Sequence, residues 1–285
     1  MDVHSAIHPH VVWLACFLGL PLVTPDALRA ELVAREVKHG TIYGYKDTPL
    51  LPWTDGRYHV HDPDRPVPEV VVPGQPSAEG MLDMRPSDAI VLFDGGSLQQ
   101  WKRSSWKVTE GSVEAGEGDL ETKDAFGNFQ LHVEWMAPTT PPGHKMNRGN
   151  SGVIIMGRYE IQIFDSWHEH PEHIYPDGQA ASIYGQTPPM ANACRGPGEW
   201  QSFDILFTAP IFREGKLRKR AVITMLHNGV VVHLNQPIMG QVAHREIAEY
   251  QAHPPKLPLV VQGHHSPVRF RNIWIRELDA HSGME

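Results

Sequence analysis

Phe129-Gln130-Leu131-His132-Val133-Glu134-Trp135-Met136 is the stretch that decides the fold class. Large apolar residues occupy every second position (Phe129, Leu131, Val133, Trp135), with Gln130, His132, Glu134 and Met136 between them. A period of two belongs to a pleated strand with one buried face; a helix would repeat its apolar residues at three and four. Runs of the same kind lie on both sides. Ala89–Phe93 leads into Asp94-Gly95-Gly96, and Trp106–Thr109 into Glu110-Gly111. Gly152–Gly157, Tyr159–Asp165, Phe203–Thr208, Ala221–His227, Val230–Leu234, Leu259–Gln262 and Val268–Arg276 follow. His227-Asn228-Gly229 joins two of these runs as a type I′ hairpin, since Asn and Gly tolerate positive φ. Many short strands at this spacing predict an all-β, antiparallel β-sandwich of the jelly-roll kind over residues 88–278. Only Pro25–Lys38 and Gln241–Tyr250 read as helix.

Composition agrees with many short strands. The 285 residues include 25 Gly and 25 Pro, rich in turn formers, yet 41% are hydrophobic, enough for a sizeable core. The net charge of −8 lacks the basic footprint that nucleic acid requires, so that partner is excluded. The one basic cluster, Arg213 to Arg220, falls between two strand-like runs and reads as a solvated hairpin loop.

The first 87 residues differ from the rest. Val11–Val23 is an apolar run of 13 residues, short of the ~20 needed to span a bilayer. Thr24-Pro25 and the small residues Ala27 and Ala30 follow it, so residues 1–30 read as a signal peptide, although Met1–His10 holds no Lys or Arg. The expected location is periplasmic or extracellular, with no stable membrane span after cleavage. Cleavage would leave Cys194 as the sole cysteine, and hence no internal disulfide. Residues 31–87 carry prolines at 49, 52, 63, 66, 68, 73, 76 and 86. Proline removes ladder donors, which predicts an extended, irregular N-terminal arm with no core of its own, Glu69–Val72 adding an edge strand. Residues 279–285 read as a C-terminal tail.

No nucleophile elbow, phosphate loop, dinucleotide fingerprint or cysteine pair for zinc is present. What remains is polar residues on strands. Gln130, His132 and Glu134 share one face of their strand; Glu160 and Gln162 alternate with Tyr159, Ile161 and Ile163 on another. Carboxylates and amides on adjoining strands of one sheet face suit sugar hydroxyls and proton transfer, so Glu134 and Glu160 are expected on one shared surface with Gln162, Asp165 and His264 around it; ordinary solvent-facing strand residues would give the same periodicity. His168-Glu169-His170-Pro171-Glu172-His173 has the composition of a metal-binding tract, but its spacing matches neither strand nor helix. Gln262-Gly263-His264-His265-Ser266-Pro267 ends near Arg269 and Arg271, where a histidine could act as base or bind substrate oxygens.

Seven blocks then occur in a recognisable order: Ile90–Gly95 (IVLFDG), Leu131–Trp135 (LHVEW), Arg148–Val153 (RGNSGV), Tyr159–Ile163 (YEIQI), Gly198–Gln201 (GEWQ), His227–Val230 (HNGV) and Pro267–Ile273 (PVRFRNI). Over residues 88–278 the chain resembles the 3-keto-disaccharide (3-keto-glycoside) hydrolase family. The resemblance implies a fold similar to concanavalin A-like lectins and glucanases, with a concave sugar-binding face. It implies catalytic candidates Glu134, Glu160 and His264, and substrate-binding candidates Gln162, Asp165, Tyr184, Arg269 and Asn150. It implies hydrolysis of a small carbohydrate or glycoside by C2 proton abstraction, elimination at C1 and water addition. No cofactor is firmly implied; a divalent cation is possible on chemical grounds. Relatives commonly read Gln-Asp-His-Gly-Asn-Pro-Val where this chain has Gln262-Gly263-His264-His265-Ser266-Pro267-Val268, so an Asp beside His264 is missing. A conventional glycoside hydrolase on the same fold and a non-catalytic carbohydrate-binding module, with Trp167 and Tyr184 as stacking platforms, are the competing readings.

Overall fold

The computed structural model describes residues 31–38, 40–70, 85–139 and 147–278. The expected signal peptide, the C-terminal tail and Val71–Val72 lie outside the described residues. The strands in chain order are β1 (Leu32–Val37), β2 (Gly40–Tyr45), β3 (Glu69–Val70), β4 (Ile90–Phe93), β5 (Lys107–Thr109), β6 (Ser112–Glu114) and β7 (Leu120–Phe126). They continue as β8 (Phe129–Met136), β9 (Ser151–Ile155), β10 (Tyr159–Ile163), β11 (Glu172–His173), β12 (Ala191–Asn192) and β13 (Gln201–Thr208). The last are β14 (Ile211–Arg213), β15 (Lys216–Lys219), β16 (Val222–His227), β17 (Val230–Pro237), β18 (Leu257–Val261) and β19 (Arg269–Glu277).

Two sheets make the sandwich. The larger runs β17-β16-β13-β8-β19-β6-β5, with β4 added against β19; the smaller runs β10-β9-β18-β7. Ladders within both are antiparallel. The core between the sheets holds the residues that the alternation picks out: Phe129, Leu131, Val133 and Trp135 of β8 meet Val153, Ile155, Ile161 and Ile163 of the smaller sheet. The β16–β17 hairpin turns at Asn228 (φ 52°) and Gly229 (φ 80°), the double positive φ that the Asn-Gly pair predicts. The basic cluster forms the exposed β14–β15 hairpin, again with positive φ at Glu214 and Gly215.

Both expected helices are absent from the described residues. Leu32–Val37 is instead a strand paired in register with β2, where Val33 and Val37 favour an extended backbone and the ladder satisfies the amides. Gln241–Tyr250 is an irregular loop: Arg245 adopts φ 61°, which no α-helix accommodates, and the Gln241 amide bonds across the loop to the Glu249 carbonyl.

The arm is more ordered than proline density predicts. β2 pairs in parallel with β11, β3 pairs with β12, and Ile42, Leu51 and Val60 are fully buried. Tyr45 packs on a small cluster of Phe164, Ile174 and Tyr175. The described prolines, at 49, 52, 63, 66, 68 and 86, fall outside the paired strands. Cys194 is free and buried. Among the described residues, no helix is long and apolar enough to cross a membrane.

Candidate active site

The two glutamates expected to share one concave surface do not. Glu134 on β8 is flanked by Val133 and Trp135, and Glu160 on β10 by Tyr159 and Ile161, all four in the core between the sheets. Side chains alternate along a strand, so both carboxyls point away from that core. Their strands belong to different sheets. The two groups therefore occupy opposite outer faces of the sandwich, farther apart than the ~10 Å that separates packed sheets. Strand parity was right at each residue; the error was to put both strands in one sheet.

Glu134 is held in a closed polar network. Its carboxylate accepts from Arg271 Nε at 2.6 Å and Asn272 Nδ2 at 2.8 Å, and faces His132 Nε2 at 3.5 Å. Burial alone would raise its pKa, but His132, Asn272 and Arg271 outweigh burial and pull it to about 2. His132 in turn bonds Asp204 at 2.7 Å and stacks on Trp274; burial lowers its pKa, yet the Asp204 and Glu134 carboxylates raise it to about 9. The Arg271 guanidinium lies over Trp200, 4.1 Å from the ring centroid. A carboxylate this stabilised is a poor proton acceptor. Arg269 alternates with the core residue Phe270, so it shares the outer face of the larger sheet, bonded to Ser112 Oγ and ion-paired with Glu110.

The Glu160 face is built differently. Register places Glu160 opposite Ile154 and Gln162 opposite Gly152, with Val260 of β18 beyond Ile154. The Glu160 side chain leans diagonally across Gly152: a Cβ there would lie 2.8 Å from Glu160 Oε1. Gly152 thus forms the floor on which the carboxyl rests. With its amide oriented to satisfy its neighbours, Gln162 donates to Glu160 Oε1 at 3.1 Å and to the Ser151 carbonyl at 2.9 Å. Among the described residues no cation pairs with Glu160. Burial first, and the charge of Asp119 second, raise its pKa to about 8. Asp119 itself accepts from the Gly263 amide at 3.0 Å, tying the end of β18 to this face.

Around Glu160 stand the residues that follow β10. Tyr184 donates its backbone N–H to the Glu160 carbonyl. Its hydroxyl lies 2.9 Å from His244 Nδ1 and 2.9 Å from the Tyr175 hydroxyl. Arg245 Nε donates to His244 Nε2 at 2.8 Å, so the His244 proton sits on Nδ1 and points at Tyr184 Oη. That leaves the Tyr184 hydroxyl hydrogen as a donor. Burial raises the Tyr184 pKa, keeping it protonated. Burial first, with Arg245 acting in the same direction, pushes His244 down to about 4, keeping it neutral at neutral pH. His264 is exposed at the end of β18, bonded to Asn147 Oδ1 at 3.1 Å. Asn150 sits half-buried just before β9.

Asp165 belongs beneath this surface. It is 1% exposed, accepts from His170 Nε2 at 2.6 Å and from the Trp167 amide, and faces Arg148 Nε at 3.8 Å. The geometry makes it the anchor of the loop that carries the histidine tract, with no open face for substrate. Among the described residues no group of three or more His, Cys, Asp and Glu is brought together to hold a metal ion.

The structure thus gathers Glu160, Gln162, Tyr184 and His264 on one side, and leaves Glu134 and Arg269 on the other. Gly152, Asp119, His61 and His244 were missed. Gly152 carried a readable signal, since a glycine inside an otherwise β-branched strand marks a close approach. His61 and His244 carried none, because they lie in segments read as irregular arm and as helix.

The family model for a 3-keto-alpha-glucoside-1,2-lyase-like domain matches residues 88–276. A crystal structure from Parabacteroides distasonis, named as a candidate glycosyl hydrolase, is 40% identical with a TM-score of 0.65, covering 75% of this chain and 93% of that one. A second, of the same name and organism, is 25% identical with a TM-score of 0.51, covering 67% of this chain and 99% of that one. No curated protein matches the sequence. The sandwich, the ordered blocks and these matches agree: the chain belongs to the 3-keto-disaccharide hydrolase family, a glycosyl-hydrolase-like, carbohydrate-active family.

Proposed function

We propose that the chain is an exported enzyme that cleaves 3-keto-glycosides, with Glu160 as the base. A ketone at C3 acidifies the C2 proton. The Glu160 carboxylate takes that proton, the C2–H electron pair moves through the enolate to form C1=C2, and the C1–O bond breaks. The departing alkoxide takes up a proton; water then adds across the enone, hydroxyl to C1 and hydrogen to C2. The Tyr184 hydroxyl, with its oxygen bonded to His244, serves as the donor to the developing oxyanion.

One observation carries the reading: Glu160 is a buried carboxyl on an outer face, paired with no cation among the described residues, and shifted to about 8. A base performs best when its proton affinity lies near the operating pH. Glu134, at about 2 and tied to Arg271, would be the weaker base by many orders.

A conventional glycosidase would need two carboxyls ~5–5.5 or ~6.5–9.5 Å apart. Opposite faces rule out Glu134 with Glu160, but Asp119, whose charge Glu160 feels, keeps a second reading in view. Incubation with an aryl 3-keto-glucoside and the unmodified glucoside separates them. Aglycone from the keto form alone supports elimination, release from both supports the paired-carboxyl route, and release from neither defeats both.

A further inference from the structure

The family match begins at residue 88, yet the arm before it reaches the Glu160 face. His61 is fully buried, with Nδ1 3.4 Å from Asp177 Oδ1 and Nε2 3.4 Å from the Arg245 backbone N–H. With the Arg245 N–H donating to Nε2, Nδ1 is the ring nitrogen left to donate to the carboxylate. Asp177 is fully buried as well and also receives Arg65 Nη1 of the arm at 2.9 Å. The His61 ring packs 4.1 Å from Tyr175, 5.1 Å from Tyr184 and 5.5 Å from His244, centroid to centroid.

Arg245 links these contacts to the site. Its φ of 61° is costly for a side chain with a Cβ and persists only where neighbours hold it. The neighbours that hold it come from the arm: His61 takes its amide, and the Tyr45 ring lies 5.0 Å from its guanidinium. So placed, Arg245 Nε meets His244 Nε2, which puts the His244 proton on the nitrogen facing Tyr184. Gly185, at φ 69°, lets the chain pass between His61 and the loop; a Cβ there would stand 3.4 Å from both His61 Cε1 and the Ala243 carbonyl.

We propose that His61 is a positioning residue of the Glu160 site, fixing the His244–Tyr184 hydrogen bond through Arg245. The inference rests on the reading of Glu160 as the base. It makes the arm one wall of the site and extends the functional unit past the boundary of the family domain.

The test uses the full chain and an aryl 3-keto-glucoside, with Glu160→Gln, His61→Phe, Tyr184→Phe and the double variant His61→Phe/Tyr184→Phe. Losing the alignment of one donor should lower kcat about tenfold, with a smaller change in KM, the worth of roughly one hydrogen bond. If His61 acts through Tyr184, its loss should largely vanish in the Tyr184→Phe background. Nitrogen NMR of His244 reads the same coupling without turnover: one tautomer in the wild type, a mixture in His61→Phe. Thermal melting checks the fold, and His61→Gln, which keeps a donor for Asp177, takes its place in the same cycle should His61→Phe not fold. Inactive Glu160→Gln beside fully additive losses, or an unchanged His244 spectrum, overturns the inference and leaves Glu160 standing. Wild-type turnover by Glu160→Gln defeats the Glu160 reading and the inference with it.

Discussion

Replacing Gly152 with alanine is the sharpest perturbation of the site, because it leaves every polar group in place. The added Cβ would lie 2.8 Å from Glu160 Oε1, 3.0 Å from its Cγ and 3.2 Å from its Cδ. Carbon contacts settle near 3.5–4.0 Å, so the carboxyl must retreat by roughly 0.5–1 Å. Glu160 is only 6% exposed, so it cannot simply swing into solvent. Misplacing a reacting group by ~1 Å can cost ~10²-fold, which sets the expected fall in kcat/KM at about 10- to 100-fold. Crowding costs about 1–3 kcal/mol, offset by ~0.4–1 kcal/mol because alanine restricts the unfolded chain more than glycine does. At ~2–4 °C per kcal/mol, the melting temperature should drop by no more than about 10 °C. Aglycone release from the 3-keto-glucoside gives the rate, and a melt confirms the fold. A folded variant whose kcat/KM stays within about twofold of wild type would refute the idea that the carboxyl rests on this glycine to do its work.

Three further outcomes follow from the same geometry. Glu160 must be ionised to act as base, so kcat/KM should rise with pH toward about 8 and then level; a fall through that range would make it an acid instead. Its folded pKa lies above the unfolded one, so the native state binds the extra proton and stability should decline as pH climbs from about 4.5 to 8; Glu160→Gln should lower kcat by ~10²–10⁴-fold and flatten that part of the stability curve, checked by melts across pH. Glu134→Ala should leave turnover near wild type but cost about 1–3 kcal/mol, less than a fully buried pair because the Arg271 side chain is 36% exposed, and a severe loss of kcat in a folded variant would return Glu134 to the site. Export predicts mature protein from the native host beginning near Ala30 or Glu31 by mass spectrometry; an intact Met1 would contradict it.

The sandwich was legible because alternation is a local property. Phe129 to Trp135 buries its odd positions in the core as the period of two demands, and Asn228-Gly229 turns where its chemistry allows. Two kinds of fact were not local. Sheet membership was one: nothing within Leu131–Trp135 or Tyr159–Ile163 says that β8 and β10 sit in different layers, since that follows from which strands pair across long separations. Loop and arm placement was the other. Gln241–Tyr250 has helix-compatible residues, but its amides find partners elsewhere and His61 holds Arg245 in a conformation that stops a helix. Propensity lost there to tertiary contacts.

Glu134 and Glu160 make the general point, being the same residue type at the same kind of position. Each sits on a strand between two core residues, each points outward, and each is less than a tenth exposed. Burial acts on both in the same direction, raising the pKa. What differs is the company. Glu134 has a guanidinium, an amide and a charged imidazole within reach, and together they reverse the effect of burial. Glu160 has an amide from Gln162 and the repulsion of Asp119, which leave burial in command. The outcome is a spread of about six pKa units between two glutamates, taking the values of about 2 and about 8. On the proposed mechanism such a spread separates two roles: the first group fastens β8 to β19, and the second keeps a proton affinity matched to abstraction of an acidified C–H. Motif matching cannot separate them, because both lie in blocks that resemble the family. Only the neighbours contributed by distant segments can, Arg271 and Asn272 for one and Gly152 for the other, and those neighbours are what a substitution must disturb to move either function.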